Sequence, residues 1–367
     1  MIRIVGPADP AVTALRHHLA TSPSPAATVE IVPWEAYRLR VDETLHASAP
    51  AFDAVCVPGH VWLPELADAG LLAELGAAAE PSARGVVAGL ETDGAYRGRR
   101  LALPLFTDGH LLVYRADLLD LPDQVPDART LLTLAQAGHR PPETYGIALK
   151  AHPSEIFLDW LPYYRTMGGE LTATEGRFRI DEPAAVAALG LYLAVARFAP
   201  PDTGSYGNEE VTGALRTGRA AAAVTWGGQA APIFASPPPG ARFAAVAPRY
   251  PWNVAWGVAV PARLPSSRRD EIVTTLLTLL SRELDQRVLR EAGSPVLEVT
   301  YREPEAGPQA YPWLEAQRAM LSRAQPLAAS PELGDMLTIM TDALVAGFRG
   351  EATPEGAIAA AVRRLQA

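Results

Sequence analysis

The sequence contains a single cysteine, Cys56, a single lysine, Lys150, and no apolar run long enough to cross a membrane as a helix. One cysteine excludes an intramolecular disulfide framework and any zinc or iron–sulfur site built from several cysteines. The apolar runs fall well short of the roughly 18 residues that a transmembrane helix needs. Aromatic residues make up only 7% of the chain, so the position of each tryptophan is informative.

Basic residues are outnumbered and scattered. The chain has 32 Lys+Arg against 41 Asp+Glu, a formal net charge of −9, and no basic cluster of the kind that neutralises phosphates, so a nucleic-acid partner is excluded. Hydrophobic residues at 49% and charged residues at 20% are typical of a folded protein, and 367 residues permit two domains. The 34 prolines are spread between apolar runs, where they separate short elements.

Enzyme motifs are absent from the sequence. It has no glycine-rich dinucleotide or Walker A loop, no G-x-S-x-G and no H-E-x-x-H. We therefore predict a non-enzyme that uses no cofactor and no metal. Tyr163 and Tyr164 resemble the adjacent tyrosines that ligate iron in ferric-ion-binding proteins, but the apolar helix that contains them favours core packing. The chain starts with an apolar strand, which predicts either a cytoplasmic protein or the mature form of an exported one.

The first 120 residues alternate strand and helix signals, as in a parallel α/β sheet. Strands are predicted at 2–5, 28–33 and 52–57, and the helices that follow them at 10–20, 34–47 and 63–76. The third strand is almost wholly apolar, which predicts burial on both faces. Cys56 lies in that strand and is therefore predicted to be a packing residue.

Strand and helix signals continue after Gly94. Strands are predicted at 100–104, 111–114, 146–150, 220–225, 242–247 and 254–260, and helices at 153–167, 183–198, 268–292, 312–323, 331–348 and 354–366. The first two of these strands are separated by the turn-like sequence FTDG at 106–109. The pattern predicts an α/β protein with a helical C-terminal region.

Four tryptophans, Trp34, Trp62, Trp226 and Trp252, lie at the ends of predicted strands. Ligands bind at the carboxyl ends of strands in open parallel sheets, and three of the four fall there. A tryptophan face packs on the apolar face of a sugar ring, while neighbours such as His60 or Asn253 hydrogen-bond its hydroxyls. The alternative is that these indoles only close the core.

Three polar residues are further candidates for the binding site. Asp108 and His110 flank a glycine between two predicted strands, and a carboxylate there accepts hydrogen bonds from two hydroxyls of a polyol. The alternative is a turn, since Asp-Gly is a strong turn signal. Lys150 ends a predicted strand and is the one lysine of an arginine-rich chain, an exception that is equally compatible with chance.

Several stretches, taken in order, resemble the bacterial extracellular solute-binding proteins. They are DAV (53–55) with WLPELADAGLL (62–72), GRRLALP (98–104) with Asp108 and LLVYRADLL (111–119), PDARTLL (126–132), MGGEL (167–171), LRTGRAA (215–221), LSRE (280–283) with GSP (293–295), and GEATPEGA (350–357). The narrower resemblance is to the carbohydrate-binding group typified by maltose-binding protein, which delivers sugars to ABC importers. The tryptophan usual in the 126–132 stretch is missing.

The resemblance implies a fold of two α/β lobes with a ligand cleft between them and hinge closure. It predicts lobe I at 1–107 and 257–299, lobe II at 108–256 and 300–367, and crossings near 106–110, 253–257 and 298–303. The expected partners are a small carbohydrate or similar polar solute and the permease subunits of the importer. We expect a monomer outside the cytoplasmic membrane.

The resemblance also implies roles for individual residues. Asp108 matches the carboxylate that takes sugar hydroxyls, Trp62 with His60 matches a first-lobe contact, and Trp226 matches an aromatic contact of the second lobe. Asp9, after the first strand, is a looser match. The full predicted set is Asp9, Trp34, His60, Trp62, Asp108, His110, Lys150, Trp226, Trp252 and Asn253. Met336 and Met340 stand where some maltodextrin binders carry aromatics, which argues against a long glucan.

Two other functions remain open on the sequence. The first is a cytoplasmic ligand sensor, or a binder of a non-sugar solute, on the same fold. The second is an enzyme on that fold, which the absence of any acid–base or nucleophile constellation disfavours.

Overall fold

The computed structural model describes residues 1–23, 26–80, 85–121, 124–174 and 177–366, which form a mixed α/β protein. The strands are β1 Ile2–Pro7, β2 Ala27–Val32, β3 Ala54–Pro58, β4 Ala95–Tyr96, β5 Arg99–Arg100, β6 Ala102–Arg115, β7 Thr172–Thr174, β8 Arg177–Arg179, β9 Ala222–Trp226, β10 Phe243–Val246 and β11 Asn253–Ala259. Within these ranges, no helix is both long and apolar enough to span a bilayer.

The helices connect the strands and make up most of the C-terminal region. They are α1 Pro10–Thr21, α2 Trp34–His46, α3 Gly59–Asp68, α4 Ala128–Gly138, α5 Ile156–Thr166, α6 Glu182–Ala196, α7 Asn208–Arg216, α8 Ala230–Ala235, α9 Ser266–Leu279, α10 Arg282–Glu291, α11 Glu298–Arg302, α12 Leu314–Arg323, α13 Leu333–Phe348 and α14 Pro354–Gln366.

The chain divides into two compact units. The first comprises Met1–Asp108, Val254–Leu314 and Ala329–Pro331, and the second comprises Gly109–Asn253, Glu315–Ala328 and Glu332–Ala367. A crossing is predicted at 298–303, but residues 298–302 form α11 inside the first unit, and the chain leaves that unit only after Leu314. The predicted hinge motion between lobes stays a prediction.

The first unit confirms the three predicted β-α repeats. β1 pairs in parallel with β2 on one side and with β3 on the other, and β11 adds to β3 in antiparallel orientation. All five residues of β3 are buried, as the apolar run predicts, and Cys56 is a free, buried thiol within it. The prediction that Cys56 is a packing residue is confirmed.

In the second unit, β9 and β10 pair with the same strand, β6. The second half of β6 pairs antiparallel with β9 on one side and with β10 on the other. Helices α5 and α6 pack together, and α13 packs against α14. These contacts bury the apolar faces of the C-terminal helices.

The turn alternative for Asp108 and Gly109 is wrong. Residues 102–115 form one 14-residue strand, β6, which continues through Asp108 and Gly109. Cross-strand pairing outweighs the local turn preference of Asp-Gly. The glycine is required for a different reason: a Cβ at Gly109 would lie 2.6 Å from the Met320 sulfur and 2.7 Å from Asn253 Oδ1.

Three other predicted elements need correction. The predicted strand at 146–150 makes only isolated parallel bridges, Tyr145 to Ala220 and Ala148 to Ala223. The predicted helix 63–76 begins at Gly59 and ends at Asp68, because Gly70 adopts a left-handed φ of 67° that stops it. The predicted helix 268–292 is two helices, and the Ser281 side chain caps the second by accepting from the Leu284 N–H.

Candidate functional site

The carboxyl ends of three parallel strands meet at one edge of the first unit's sheet. Asp9 follows β1, Trp34 begins α2 directly after β2, and His60 and Trp62 lie in the first turn of α3 after β3. The sequence predicts a helix only from residue 63, which left His60 and Trp62 in a loop, but α3 begins at Gly59 and includes both residues. The chain order reverses between β1 and β3, and such switch points hold the ligands of open α/β sheets.

Five aromatic rings, the first-unit aromatic cluster, pack together at this edge: Trp34, Tyr37, Trp62, Phe106 and Trp256. Trp34 and Trp62 stack with ring centroids 6.2 Å apart and an angle of 16°. Trp256 meets both edge-on, at 5.9 and 6.0 Å, and stacks on Phe106 at 5.6 Å. Stacked and edge-on rings at these distances attract one another, so the cluster holds its indoles in set orientations.

Exposure differs sharply within the cluster. Tyr37 and Phe106 are fully buried, whereas Trp34 retains 37% of its surface and Trp62 is partly exposed. The Tyr37 hydroxyl donates to the carbonyls of Val5 and Cys56 and so ties α2 to β1 and β3. Burial raises the pKa of Tyr37 well above its ordinary value. The cluster thus presents indole surface on a rigid base.

Arg38 fixes the position of Trp62. Its guanidinium carbon lies 4.9 Å from the Trp62 ring centroid, and the guanidinium also pairs with Asp42 at 3.1 Å and with Glu65 at 2.6 Å. These carboxylates raise the pKa of Arg38 although partial burial opposes them. A cation over the indole favours one ring orientation.

His60 is held by a buried carboxylate that the sequence analysis missed. Its Nδ1 lies 2.9 Å from Asp93 Oδ1, and Asp93 Oδ2 accepts from the Ala255 N–H at 2.6 Å. Asp93 therefore ties the start of α3 to β11, and its contact favours a proton on His60 Nδ1. The two partners are 33 positions apart in the chain, so no local pattern indicates this pair.

Asp9 caps α1. Its side chain accepts from the Ala11 N–H at 2.7 Å, as favoured for an N-cap residue. Burial raises the pKa of Asp9 to about 7, against the lowering effect of the helix N–H groups. Burial, with the nearby Asp9 carboxyl, raises the pKa of the Cys56 thiol to about 12. Cys56 is accordingly an unreactive thiol at neutral pH.

Asp108 is the last residue of the first unit's N-terminal segment, Met1–Asp108. It lies half-buried in the middle of β6, so neither the turn alternative nor a loop applies.

Trp256 belongs to the first-unit aromatic cluster but was not among the predicted site residues. It lies inside a wholly buried strand, and its local sequence looks like that of any core residue.

The second unit brings Lys150, Trp226 and His110 together. The Lys150 ammonium lies 3.3 Å from the Trp226 ring centroid, and the His110 ring stacks on Trp226 at 4.7 Å and 15°. A parallel β-bridge between Ala148 and Ala223 holds the segment before Lys150 beside the strand that ends at Trp226. Trp226, His110 and Lys150 are all buried, whereas Trp34 and Trp62 of the first unit are partly exposed.

Two buried carboxylates surround Lys150. Glu155 accepts a hydrogen bond from Trp226 Nε1–H at 3.0 Å. Asp159 Oδ2 accepts from the backbone N–H of Lys150 at 3.0 Å and from the Tyr192 hydroxyl at 2.8 Å. Burial raises the pKa of Glu155 to about 7 and also raises that of Asp159, while Lys150 lowers both. These carboxylates were not among the predicted site residues, although their i, i+4 spacing at the start of an apolar helix was a usable signal.

Trp252 and Asn253 complete the second-unit set, and both are buried. The Trp252 ring meets Trp226 edge-on at 5.5 Å, and its backbone N–H donates to His110 Nδ1 at 3.1 Å. An accepting Nδ1 leaves the His110 proton on Nε2. Burial, with the charges of Lys150 and Arg165, lowers the pKa of His110 well below its ordinary value, so this histidine is neutral.

A family profile matches most of the chain. The profile of the bacterial extracellular solute-binding proteins matches residues 23–266. The chain belongs to this family. A curated relative, the probable ABC transporter-binding protein of Deinococcus radiodurans, is 28% identical over 142 residues, which cover 35% of this chain. The match spans about a third, 33%, of that relative's length.

Solved structures of solute-binding proteins share the fold over the full chain. One from Agrobacterium radiobacter in complex with ribitol is 20% identical, covers 100% of this chain and 98% of its own, and gives a TM-score of 0.86. Maltose-bound MalE3 of T. maritima is 22% identical over 100% and 98%, with a TM-score of 0.80. The predicted two-lobed fold of the maltose-binding-protein type is confirmed.

The stability of this solute-binding protein is expected to depend on pH through Glu155. Because its folded pKa of about 7 exceeds the unfolded value of about 4.3, the folded chain holds an extra proton between these values. That stabilisation is lost as the pH rises through 7. Relative to the wild type, Glu155→Gln should therefore gain about 2 kcal/mol of unfolding free energy from pH 5 to pH 8.

Urea unfolding of both proteins at pH 5, 6, 7 and 8 measures this difference. The comparison removes the opposing contribution of His110, which both proteins share. A constant difference across the four pH values would contradict the raised pKa.

Proposed function

We propose that this chain is the substrate-binding protein of an ABC importer for a monosaccharide, a short oligosaccharide or a polyol. The observation that carries the proposal is the strand edge of the first unit. There Asp9, Trp34, His60 and Trp62 follow three parallel strands, at the switch point of the sheet.

The chemistry of this edge suits a neutral polyhydroxylated ligand. The exposed surface of Trp34 and Trp62 offers an apolar face for the C–H groups of a sugar or polyol. Asp9 supplies oxygens that accept hydrogen bonds from hydroxyls, and we propose Asp108, half-buried in β6, as a second acceptor. Asp93 holds the His60 ring in one orientation, which reduces the entropy lost when a ligand binds.

Relatives with the same fold support this ligand class. Their structures contain ribitol, maltose, α-D-tagatose (Thermotoga lettingae) and D-mannitol (Agrobacterium vitis), all of them neutral and rich in hydroxyls. Met336 and Met340 are buried in α13 and offer no surface for a long glucan. We therefore propose a ligand no longer than a short oligosaccharide.

The importer's permease subunits are the proposed partners, and the proposed location is outside the cytoplasmic membrane. Both rest on the family, whose members bind solutes extracellularly. We also propose that the protein acts as a monomer and performs no catalysis.

A ligand panel tests the proposal. The purified chain is heated with ribitol, D-mannitol, α-D-tagatose and maltose, and hits are titrated by calorimetry. A ligand at 100 times its Kd should stabilise the fold by about 2.7 kcal/mol, which raises Tm by several degrees. Stabilisation by amino acids, phosphate or metal ions, with none by the panel, would refute the proposal.

A further inference from the structure

Gln317 in α12 is a fully buried side chain that the sequence analysis did not single out. Its exposure is 0%, and among the described residues neither Oε1 nor Nε2 has a hydrogen-bond partner. A buried amide that loses its hydrogen bonds to water and gains none destabilises the fold. A buried polar group of this kind is explained when another molecule completes its hydrogen bonds.

The space around the Gln317 amide depends on Gly227. This glycine begins the turn after β9, next to Trp226, and a Cβ there would lie 2.2 Å from Gln317 Oε1 and 2.7 Å from Nε2. Any side chain at 227 would displace the amide. The Thr225 hydroxyl, two residues earlier, is also buried and has no partner within the described chain.

Other buried glutamines of the protein are paired. Gln286 donates from Nε2 to the Glu303 carbonyl at 2.9 Å and accepts at Oε1 from the Glu305 N–H at 2.9 Å. Gln229, in the same turn as Gly227, accepts from the Thr212 hydroxyl at 3.2 Å. Gln317 differs from these two glutamines because, among the described residues, both its Oε1 and its Nε2 lack hydrogen-bond partners.

We propose that the Gln317 carboxamide binds the ligand directly, as a specificity-determining contact of the second unit. The inference rests on the proposed function and deepens it. A carboxamide presents one donor group and one acceptor side by side. Two neighbouring hydroxyls of a ligand can hydrogen-bond to both of them. A hydroxylated ligand can make both hydrogen bonds without bringing an uncompensated charge into this buried position.

Gln317→Leu tests the proposal, because leucine keeps the approximate volume and removes both polar ends. The ligand is the tightest binder of the panel defined above. We expect affinity to fall at least tenfold, while the Tm of the ligand-free protein stays the same or rises. Gly227→Ala should weaken binding similarly, by displacing the amide.

Gln286→Leu is the matched control, since it deletes an amide that is already paired. It should lower Tm by several degrees and leave affinity unchanged. If Gln317→Leu binds like the wild type, the inference is overturned and the proposed function stands. A Tm loss in Gln317→Leu comparable to that of Gln286→Leu also overturns it. If the wild type binds no panel member, both the proposed function and the proposed Gln317 contact are refuted.

Discussion

Replacing Lys150 by methionine is expected to lower the free energy of unfolding by about 3 to 5 kcal/mol at pH 8. Lys150 is fully buried, and its charge lowers the pKa values of the buried Glu155 and Asp159 carboxyls. Methionine fills a similar volume, so the main change is electrostatic. Removing one member of a buried charge network leaves the others uncompensated.

The pH dependence of this loss identifies its cause. Without Lys150, burial raises the pKa values of Glu155 and Asp159 further, so both carboxyls take up protons at a higher pH than in the wild type. The deficit measured by urea unfolding should therefore be smaller at pH 5 than at pH 8. A deficit that does not change with pH would indicate lost packing instead.

Arg364→Met is the control for Lys150→Met. Arg364 pairs with Asp342 at 2.8 Å in the same unit, but both side chains are exposed, and pairs of this kind contribute about 0 to 1 kcal/mol. If Lys150→Met destabilises no more than this control, the buried network does not stabilise the fold.

Trp34→Ala and Trp62→Ala are each expected to weaken binding of the panel ligand by about 10- to 100-fold, or about 1 to 3 kcal/mol. Each indole offers a flat apolar surface, and truncation to alanine removes it while leaving Asp9 and His60 in place. Calorimetric titration measures the loss, and Tm of the ligand-free protein confirms that the fold is kept.

Leu39→Ala is the matched control on the same helix. Leu39 is 63% exposed and lies outside the first-unit aromatic cluster, so its truncation should leave the affinity unchanged. Wild-type affinity in both tryptophan variants would show that the ligand does not contact this edge.

Local sequence predicted the elements of the first unit well, and non-local contacts account for the errors. The strands β1, β2 and β3 are short β-branched or apolar runs, which signal their conformation without help from the rest of the chain. Asp108 and Gly109 carry a strong turn signal, yet they lie inside β6. Their conformation depends on strands more than 100 residues away, which no local pattern records.

The candidate site shows the same division. Asp9, Trp34, His60 and Trp62 were predicted because each closely follows a strand, and strand ends meet wherever strands are parallel. Asp93, Trp256 and Gln317 were not predicted, because each reaches its place through contacts with residues distant in the chain. The pair formed by Asp93 and Ala255, for example, joins residues 162 positions apart.

By itself, the sequence determined the α/β class, the family resemblance and the residues that follow the first three strands. Only the tertiary structure decided which tryptophans keep exposed surface. Trp34 and Trp226 look alike in sequence, since both follow or end a strand, yet Trp34 is partly exposed and Trp226 is packed against His110 and Lys150. Burial depends on which distant side chains arrive beside a residue, and the local sequence does not contain that information.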